Sequence, residues 1–426
     1  MTPSSPAGLG EPVLVSPLVR ALPRRTRLAI AGARLAGATS RRCGLGGGGV
    51  IGGRVALKLD PRALERLGRG RTVVLVTGTN GKTTTALMLS RILTSLGPVA
   101  ANADGANMPD GVLAALVAAP EAPLAVLEVD ENYVSEVATQ LRPACLVLLN
   151  LSRDQLDRVG EVRATERELR AVVSRLPGTT VVANCDDPLV ASAALACADP
   201  VWVGAGQGWH GDALACARCG QAMTHEGVDW RCTCGLARPY PRWTLEGDRL
   251  GLPGSGSVPL GLGLPGRANA ANAAMAVAAA VRLGVPEETA IERVRSIDAV
   301  AGRYRRARVA GHSVRLLLAK NPAGWRETLR LLEPYTPVVI AVNSREADGR
   351  DMSWLWDVPF ELLAGRPVVA AGERATDLAV RLTYAEVQHT VARDPLAAVG
   401  SLAGESVELV ANYTAFRGLK QRFGDG

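Results

Sequence analysis

Apolar runs recur along the chain from residue 71 to residue 200, and stretches with helical periodicity separate several of them. The runs have the length and the Val, Leu and Ala content of buried strands. The predicted strands are Thr72–Thr77, Leu124–Val129, Ala144–Asn150 and Thr180–Asn184, and the predicted helices span 84–96, 163–176 and 188–196. This order of strands and helices is typical of a parallel α/β sheet.

The same alternation begins again after residue 302. Two helices come before it, an Ala-rich one at Asn269–Leu283 and another at Pro286–Ser296. The later elements are strands at Ser313–Leu318, Pro337–Val342, Pro367–Ala371 and Ser406–Ala411 and helices at 321–332 and 375–382. The sequence therefore predicts two α/β domains, a central one at 55–301 and a C-terminal, Rossmann-like one at 302–426.

Residues 1–54 are predicted to be a tail followed by a short helical segment. Residues 1–15 have the composition of a mobile tail, and Leu28–Leu35 has the pattern of one short amphipathic helix. The Arg residues near the start superficially resemble a targeting segment, but the compact apolar core and small-residue cleavage site of such a segment are missing. Gly44–Gly53 is interpreted as a flexible loop, with contact to a phosphate or sugar as a second reading.

The end of the first strand carries the strongest chemical signal. The strand runs into the sequence Gly78-Thr79-Asn80-Gly81-Lys82-Thr83-Thr84, and a helix follows. The two glycines let backbone N–H groups approach phosphate oxygens, Lys82 supplies a charge for the β- and γ-phosphates, and the hydroxyl of Thr83 or Thr84 can reach Mg²⁺. Val76 occupies the position of the first Gly of the general pattern, so this is a shortened phosphate-binding loop.

Polar side chains also follow the next two strands of the predicted sheet. Glu128, Asp130 and Glu131 come at the end of one strand, where the Mg²⁺ of a bound nucleotide is normally held, and Glu128 is the preferred ligand. Residues 150–158 follow the other strand, and we expect their polar groups to lie at the same sheet edge. Surface exposure of the acids and helix capping by Ser152 or Asp154 are the competing interpretations.

Four of the eight cysteines are clustered: Cys216, Cys219, Cys232 and Cys234. Thiolates at these spacings can close a tetrahedral Zn²⁺ site in a zinc ribbon inserted at about 205–245. Four thiolates leave no open coordination position, so the metal would be structural. Disulfides or free thiols are the alternatives, and the Cys-x-Cys second half is less common than Cys-x-x-Cys.

The composition excludes some classes of protein and leaves others possible. With 426 residues and 47% hydrophobic content, the chain has enough material for two or three domains with cores of their own. No apolar run approaches the length of a membrane span, and the scattered cysteines favour a reducing cytoplasm over a secreted disulfide framework. A net charge of +7 suits a polyanion, an anionic membrane surface or a phosphorylated substrate, although a coding bias toward Arg explains it equally well.

Several motifs, taken in order, resemble the signature of the Mur ligase superfamily. They are the loop at 78–84, Asn150 with Asp154-Gln155-Leu156-Asp157, Asn184-Cys185-Asp186-Asp187-Pro188, Pro265-Gly266-Arg267 with Asn269 and Asn272, and Gly302-Arg303. The resemblance implies a P-loop central domain that binds ATP and Mg²⁺, with Asn269 and Arg303 among the nucleotide-binding residues. It also implies that a carboxylate is converted to an acyl phosphate, which an amine then attacks.

One branch of the superfamily resembles the remainder of the chain. The four-Cys insertion, Ala319–Trp325, Ala347–Asp357 and Ala411–Ala415 carry this resemblance. It implies amidation of the α-carboxylate of D-glutamate in the lipid II stem peptide, at the inner face of the cytoplasmic membrane. Ammonia would come from a GatD-type glutaminase subunit in a heterodimer. An Asp of this chain would complete the partner's Cys-His pair, with Asp348 and Asp351 as candidates and Asp357 as a third acid nearby.

Two departures from the superfamily pattern bear on this expectation. Gln155 stands where other Mur ligases have His, and Lys320 stands where their C-terminal domain has an acid and a His. The second change argues against binding of an incoming amino acid and agrees with ammonia as the nucleophile. A stand-alone amino acid ligase of the Mur or folylpolyglutamate type is the alternative enzyme, and a zinc-ribbon nucleic-acid-binding ATPase is the alternative of another class.

Overall fold

The structure is a computed structural model that describes residues 22–43, 48–102, 105–153, 161–206, 211–254, 256–297 and 304–423. Several residues singled out above lie outside the described part of the chain: the predicted tail at 1–15, residues 44–47, Asp154, Gln155, Leu156, Asp157, Gly302 and Arg303.

Nine described strands form the larger sheet. In chain order they are β1 (Thr72–Thr77), β2 (Val99–Ala101), β3 (Leu124–Glu128), β4 (Cys145–Leu148), β5 (Thr180–Asn184), β6 (Val201–Gly204), β9 (Trp243–Glu246), β10 (Arg249–Leu252) and β11 (Gly256–Pro259), with β7 (Thr224–Glu226) and β8 (Asp229–Arg231) in a separate hairpin. The spatial order is β11-β10-β9-β6-β5-β4-β1-β3-β2, parallel from β9 to β2 and antiparallel across β9, β10 and β11. The predicted parallel sheet is confirmed.

Helices cover both faces of this sheet. They are α1 (Arg24–Arg42), α2 (Gly49–Leu59), α3 (Ala63–Gly68), α4 (Lys82–Leu93), α5 (Pro109–Ala118), α6 (Val134–Leu141), α7 (Glu161–Ser174), α8 (Pro188–Ala194), α9 (Arg267–Arg282) and α10 (Glu287–Arg295). The pleat of β1 sends Val73 and Leu75 to one core and Val74 and Val76 to the other. Because both faces are buried, the strand is apolar throughout, which is why it was recognisable from the sequence.

The glycine-rich segment is the clearest error of the sequence prediction. Residues 49–53 are the first half of α2 and not a flexible loop, and the short helix expected at 28–35 is the middle of the longer α1. A Cβ on Gly52 would lie 2.7 Å from the Ala33 carbonyl oxygen, and one on Gly53 would lie 1.9 Å from that of Asp110. These glycines therefore let α2 pack backbone to backbone against α1 and α5.

Six described strands form the second sheet, in the order β12-β13-β17-β14-β15-β16, with only the β12–β13 pair antiparallel. The elements are β12 (Tyr304–Val309), β13 (His312–Leu318), α11 (Pro322–Arg330), β14 (Val338–Ala341), β15 (Val368–Ala371), α12 (Ala375–Tyr384), β16 (His389–Ala392), α13 (Pro395–Gly400), β17 (Ser406–Ala411) and α14 (Tyr413–Arg422). From the separation of the two sheets we propose the division at about residue 302. The proposed boundary at 54 lies inside α2.

No helix in the described ranges is long and apolar enough to cross a membrane. The sequence prediction missed short elements, among them β2, β6, β16 and the β9–β11 extension. Their few residues lack a pattern that distinguishes a strand from a loop.

Candidate functional site at the carboxyl edge of the large sheet

The phosphate-binding loop joins β1 to α4 as predicted. Gly78 and Gly81 have φ values of 139° and 88°, which a residue with a Cβ rarely adopts. A Cβ on Gly81 would also lie 2.4 Å from Oδ1 of Asn272, so the loop has no room for a side chain there. Thr83 and Thr84 lie in the first turn of α4, next to Lys82. The local sequence thus forms a loop that leads into the N-terminus of α4. Backbone N–H groups at such a position can bind phosphate.

Asn150 holds the loop in place. The backbone N–H of Asn80 donates to Oδ1 of Asn150 at 2.9 Å, and Nδ2 of Asn150 donates to the carbonyl of Asn80 at 2.9 Å. Beside this pair, the hydroxyl of Thr79 donates to the carbonyl of Ser152 at 3.0 Å and accepts from its N–H at 2.9 Å. Within the described residues, the expected gathering of polar groups is therefore observed.

Lys82 is buried and is paired with Glu131. Its ammonium group lies 2.9 Å from Oε2 of Glu131 and also donates to the carbonyls of Gly78 and Thr79. Burial raises the pKa of Glu131, but the charge of Lys82 and hydrogen bonds from Lys82 and Thr79 outweigh burial and hold that pKa below its ordinary value. Glu131 thus holds the ammonium group of Lys82 at the loop.

Glu128 ends β3, where it pairs with Val76 of β1 in the strand ladder. Its side chain is buried, and within the described part of the chain its carboxylate forms no hydrogen bond or ion pair. The side chain of Asn102 instead contacts the backbone of Glu128. Its Oδ1 accepts from the Glu128 N–H at 2.8 Å, and its Nδ2 donates to the Glu128 carbonyl at 2.7 Å. A carboxylate with no partner among the described residues, beside a phosphate-binding loop, fits a Mg²⁺ ion, which prefers oxygen ligands.

The predicted nucleotide-binding Asn269 lies in the first turn of α9, where its Nδ2 donates to the carbonyl of Pro265 at 2.7 Å. Asn272, one turn further along, is the residue that contacts the loop at Gly81. Asp187, from the third motif, caps α8 and also accepts from the N–H of Leu151 at 2.8 Å. This motif therefore positions the segment after β4, a role that the sequence alone did not indicate.

Two polar side-chain contacts between described residues connect the C-terminal sheet to this edge. The amides of Asn80 and Asn321 exchange hydrogen bonds at 3.2 Å, and Asn321 also caps α11 by accepting from the N–H of Gly324. Arg153 pairs with Asp212 and lies 3.3 Å from Asp357. Asp212, which belongs to none of the sequence motifs, therefore helps to connect the Cys-rich insertion with the C-terminal sheet.

The four clustered cysteines come together as predicted. Their sulfur atoms all lie within 4.8 Å of one another, with 3.7 Å between Cys216 and Cys234 and 3.3 Å between Cys219 and Cys232. These separations exceed the roughly 2.05 Å of a disulfide bond. They approach the roughly 3.8 Å between sulfurs that share a tetrahedral zinc ion. The β7–β8 hairpin thus carries a cluster that could hold a metal ion.

The two candidate acids of the C-terminal domain differ in their surroundings. Asp348 accepts hydrogen bonds from the N–H and the hydroxyl of Thr414, which holds the start of α14. Asp351 is exposed and accepts one bond, from the N–H of Ser353 at 2.8 Å. It lines a shallow pocket of about 300 Å³ together with Met352, Ser353, Leu355, Trp356, Asp377 and Val380. Of these two acids, Asp351 is therefore the more exposed.

The two tryptophans beside these acids have different roles. Trp354 is buried and stacks on Trp325 at 5.7 Å between ring centroids. Trp356 is 53% exposed and packs edge-on against the exposed Tyr384 at 5.2 Å. Trp354 therefore belongs to the core, and Trp356 forms an exposed aromatic surface.

A phosphate-binding loop at the carboxyl edge of a parallel sheet, joined to a second α/β unit, is typical of nucleotide-binding enzymes. The family model for the Mur ligase middle domain matches residues 76–223, and that for the MurT ligase C-terminal region matches residues 318–416. A solved structure, a pseudomurein peptide ligase type C from Methanothermus fervidus, is similar in fold. Its TM-score is 0.65 at 21% identity, with 82% of this chain and 78% of that chain covered.

Two relatives match this chain over most of its length, and both are named lipid II isoglutaminyl synthase (glutamine-hydrolyzing) subunit MurT. The protein of Staphylococcus aureus (strain N315) is 29% identical, with 84% of this chain and 87% of the relative covered. That of Streptococcus pneumoniae (strain ATCC BAA-255 / R6) is 30% identical, with 79% of this chain and 82% of the relative covered. The chain belongs to the MurT family of Mur ligases, and the predicted fold and enzyme class are confirmed.

Proposed function

We propose that this chain is the ATP-dependent synthetase subunit that amidates the α-carboxylate of D-glutamate in the stem peptide of lipid II, in peptidoglycan biosynthesis. The observation that carries the proposal is the match to the pneumococcal subunit of that name over most of both chains. The Lys82 loop at the sheet edge supports it, because a carboxylate becomes an electrophile only after phosphorylation.

In the first step, a carboxylate oxygen of the substrate attacks the γ-phosphorus of ATP, the bond to the β-phosphate oxygen breaks, and ADP leaves. Two negatively charged groups meet in this step, so the charge of Lys82 and the loop N–H groups stabilise the transferring phosphoryl group. Gly78, Thr79, Asn80, Gly81, Thr83 and Thr84 form the cradle in this proposal, with Asn269 and Arg303 as further nucleotide-binding residues. Mg²⁺, held by Glu128 and Thr83, would neutralise charge on the phosphates.

In the second step, ammonia attacks the acyl carbon, the C–N bond forms, and phosphate leaves with the former carboxylate oxygen. Burial raises the pKa of Cys145 and Cys185 to about 12, so neither thiol supplies a nucleophilic thiolate for glutamine hydrolysis at neutral pH. We therefore propose that a GatD-type glutaminase forms a heterodimer with this chain and supplies the ammonia.

The partner would dock on the surface formed by Asp351, Trp356, Val380 and Tyr384. Exposed aromatic side chains such as those of Trp356 and Tyr384 are enriched at protein interfaces. In this proposal Asp351, rather than Asp348, completes the partner's Cys-His pair. The cysteine cluster holds a structural Zn²⁺ ion, and the chain works in the cytoplasm, at the inner face of the membrane.

The proposal is tested by incubating the chain with the glutaminase, glutamine, ATP, Mg²⁺ and lipid II and measuring the muropeptide by mass spectrometry. The expected product has an amino group in place of one hydroxyl, appears only with ATP, and is absent with Lys82→Ala. A product enlarged by an amino acid residue would establish the stand-alone ligase instead. Absence of any ATP-dependent product would refute both.

A further inference from the structure

The positive charge of this chain is concentrated in one helical hairpin. Residues 24–59, which contain α1 and α2, have eight Arg or Lys and no Asp or Glu. The net charge of the whole chain is +7, so the remaining residues together carry a net charge of −1. A coding bias toward Arg would spread the charge along the chain, and the observed concentration requires another explanation.

The charged residues of α1 share their face of the helix with exposed leucines. Thr26, Ala29, Ala33, Gly37 and Ser40 are the buried residues of α1 and define its inner face. On the outer face, Leu28 and Leu35 are 69% and 71% exposed and lie two turns apart. Arg24, Arg27 and Arg34 flank them and form no ion pair with a described residue.

From this arrangement we propose that the outer face of α1 docks on an anionic lipid bilayer. Guanidinium groups are attracted to anionic headgroups, and the two leucines between them can insert at the boundary of the acyl chains. A nucleic acid would use the arginines alone and leave both leucines in water. The outer face of α1 thus matches a bilayer, which has charged headgroups at its surface and apolar acyl chains just below them.

Two polar contacts also connect the hairpin with the sheet edge that carries the Lys82 loop. Nε of Arg54 in α2 lies 2.8 Å from Oδ2 of Asp110, in the first turn of α5. Shortly before that helix, the carbonyl of Asn107 accepts from the N–H of Asp130 at 2.9 Å, beside Glu128 and Glu131. A bilayer bound to α1 would therefore keep the edge with the Lys82 loop at a fixed distance from the membrane.

The choice of a bilayer rests in part on the proposed function, because lipid II is a membrane-anchored substrate. The binding assay contains no nucleotide, glutamine or lipid II, so its failure would leave the amidation test unaffected. In the assay the full chain is sedimented with vesicles of equal parts phosphatidylglycerol and phosphatidylcholine, and with vesicles of phosphatidylcholine alone.

We expect binding to the anionic vesicles only, weakened by added salt. The triple variant Arg24→Glu/Arg27→Glu/Arg34→Glu should bind roughly 100-fold or more weakly. The double variant Leu28→Ser/Leu35→Ser should bind about tenfold more weakly, with the salt dependence retained. These side chains point away from the core, so thermal unfolding should be nearly unchanged and serves as the folding control.

The matched control reverses three exposed cations outside the hairpin, in Arg308→Glu/Arg393→Glu/Lys420→Glu, and should bind as the unmodified chain does. Equal binding by the hairpin variants and the control would overturn the proposal, as would absence of binding to anionic vesicles. A gel shift with RNA that is lost in the arginine variant but kept in the leucine variant, without vesicle binding, would assign the face to a nucleic acid.

Discussion

The side-chain amides of Asn80 and Asn321 exchange two hydrogen bonds at 3.2 Å, and these bonds join the phosphate-binding loop to the N-cap of α11 in the C-terminal domain. The same Asn321 side chain caps α11. The loop is thus in direct contact with the domain that carries the proposed partner surface.

Replacing Asn321 tests this connection. Asn321→Ser keeps a good N-cap but is too short to reach Asn80, whereas Asn321→Ala loses both roles. We expect both variants to lower kcat/KM for ATP-dependent amidation about tenfold, the equivalent of one lost hydrogen-bonded pair. Only Asn321→Ala should also lose about 1 kcal/mol in the free energy of unfolding. Unchanged kinetics in both would show that the contact has no part in the reaction.

The pH dependence of stability should report on Glu131. Its pKa lies below the ordinary value of 4.5 in the folded chain, so the ionised group stabilises the fold above that pH and the contribution is lost as pH falls through the folded pKa. The melting temperature of Glu131→Gln should therefore be lower than that of the unmodified chain at neutral pH, with a gap that narrows below 4.5. The exposed Glu292 provides the control, Glu292→Gln, for which no gap is expected. A gap independent of pH would contradict the ion pair with Lys82.

Helix α2 should be intolerant of a methyl group at Gly53. Because the new Cβ would lie 1.9 Å from the Asp110 carbonyl oxygen, Gly53→Ala should reduce the free energy of unfolding by about 1–3 kcal/mol or more. Gly49→Ala, four residues earlier, meets only the Ala114 side chain at 3.8 Å and should be neutral or slightly stabilising. Denaturant unfolding of both variants gives the comparison, and equal stability would mean that α2 does not pack as described.

The cysteine cluster should hold one zinc ion per chain. Cys216→Ser should lose the metal and lower the melting temperature, because metal binding contributes to folding. Cys43→Ser, an exposed thiol outside the cluster, should retain both. Metal analysis and thermal unfolding of the purified variants provide the readout. Full metal content in Cys216→Ser would exclude that residue as a ligand.

Substitutions of Asp351 and Asp348 should have different effects on amidation and on stability. Asp351→Asn should lower glutamine-driven amidation about 100-fold or more by removing the acid that orients the partner's His, while amidation driven by added ammonia stays normal. Asp348→Asn weakens the contact with Thr414, so it should reduce thermal stability and affect both nitrogen sources alike. Equal loss with both sources in Asp351→Asn would indicate a structural role for this residue.

The parts that were predictable from the sequence are those in which local pattern and chemistry agree. Buried parallel strands such as β1 are apolar on both faces, and the residues from Gly78 to Thr84 carry their phosphate chemistry in consecutive positions. The cysteine cluster is equally local, with its ligands close together in sequence.

Other features depend on packing between distant segments, which one sequence does not reveal. The glycines of α2 have the composition of a loop, and only the approach of Ala33 and Asp110 explains them. The pairing of Lys82 with Glu131, rather than with Glu128, depends on where the chain turns after β3. Which acid near residue 350 is accessible depends on Thr414, more than sixty residues later in the chain.

The fate of the carboxylate oxygen tests the central claim most directly. Lipid II with heavy oxygen in the α-carboxylate of its D-glutamate would be amidated with ATP and ammonia, and the inorganic phosphate analysed by mass spectrometry. Activation by the Lys82 loop predicts that one labelled oxygen appears in the phosphate for each amide formed, and that neither product forms with Lys82→Ala. Amide formation without labelled phosphate would contradict an acyl phosphate and the function proposed for this site.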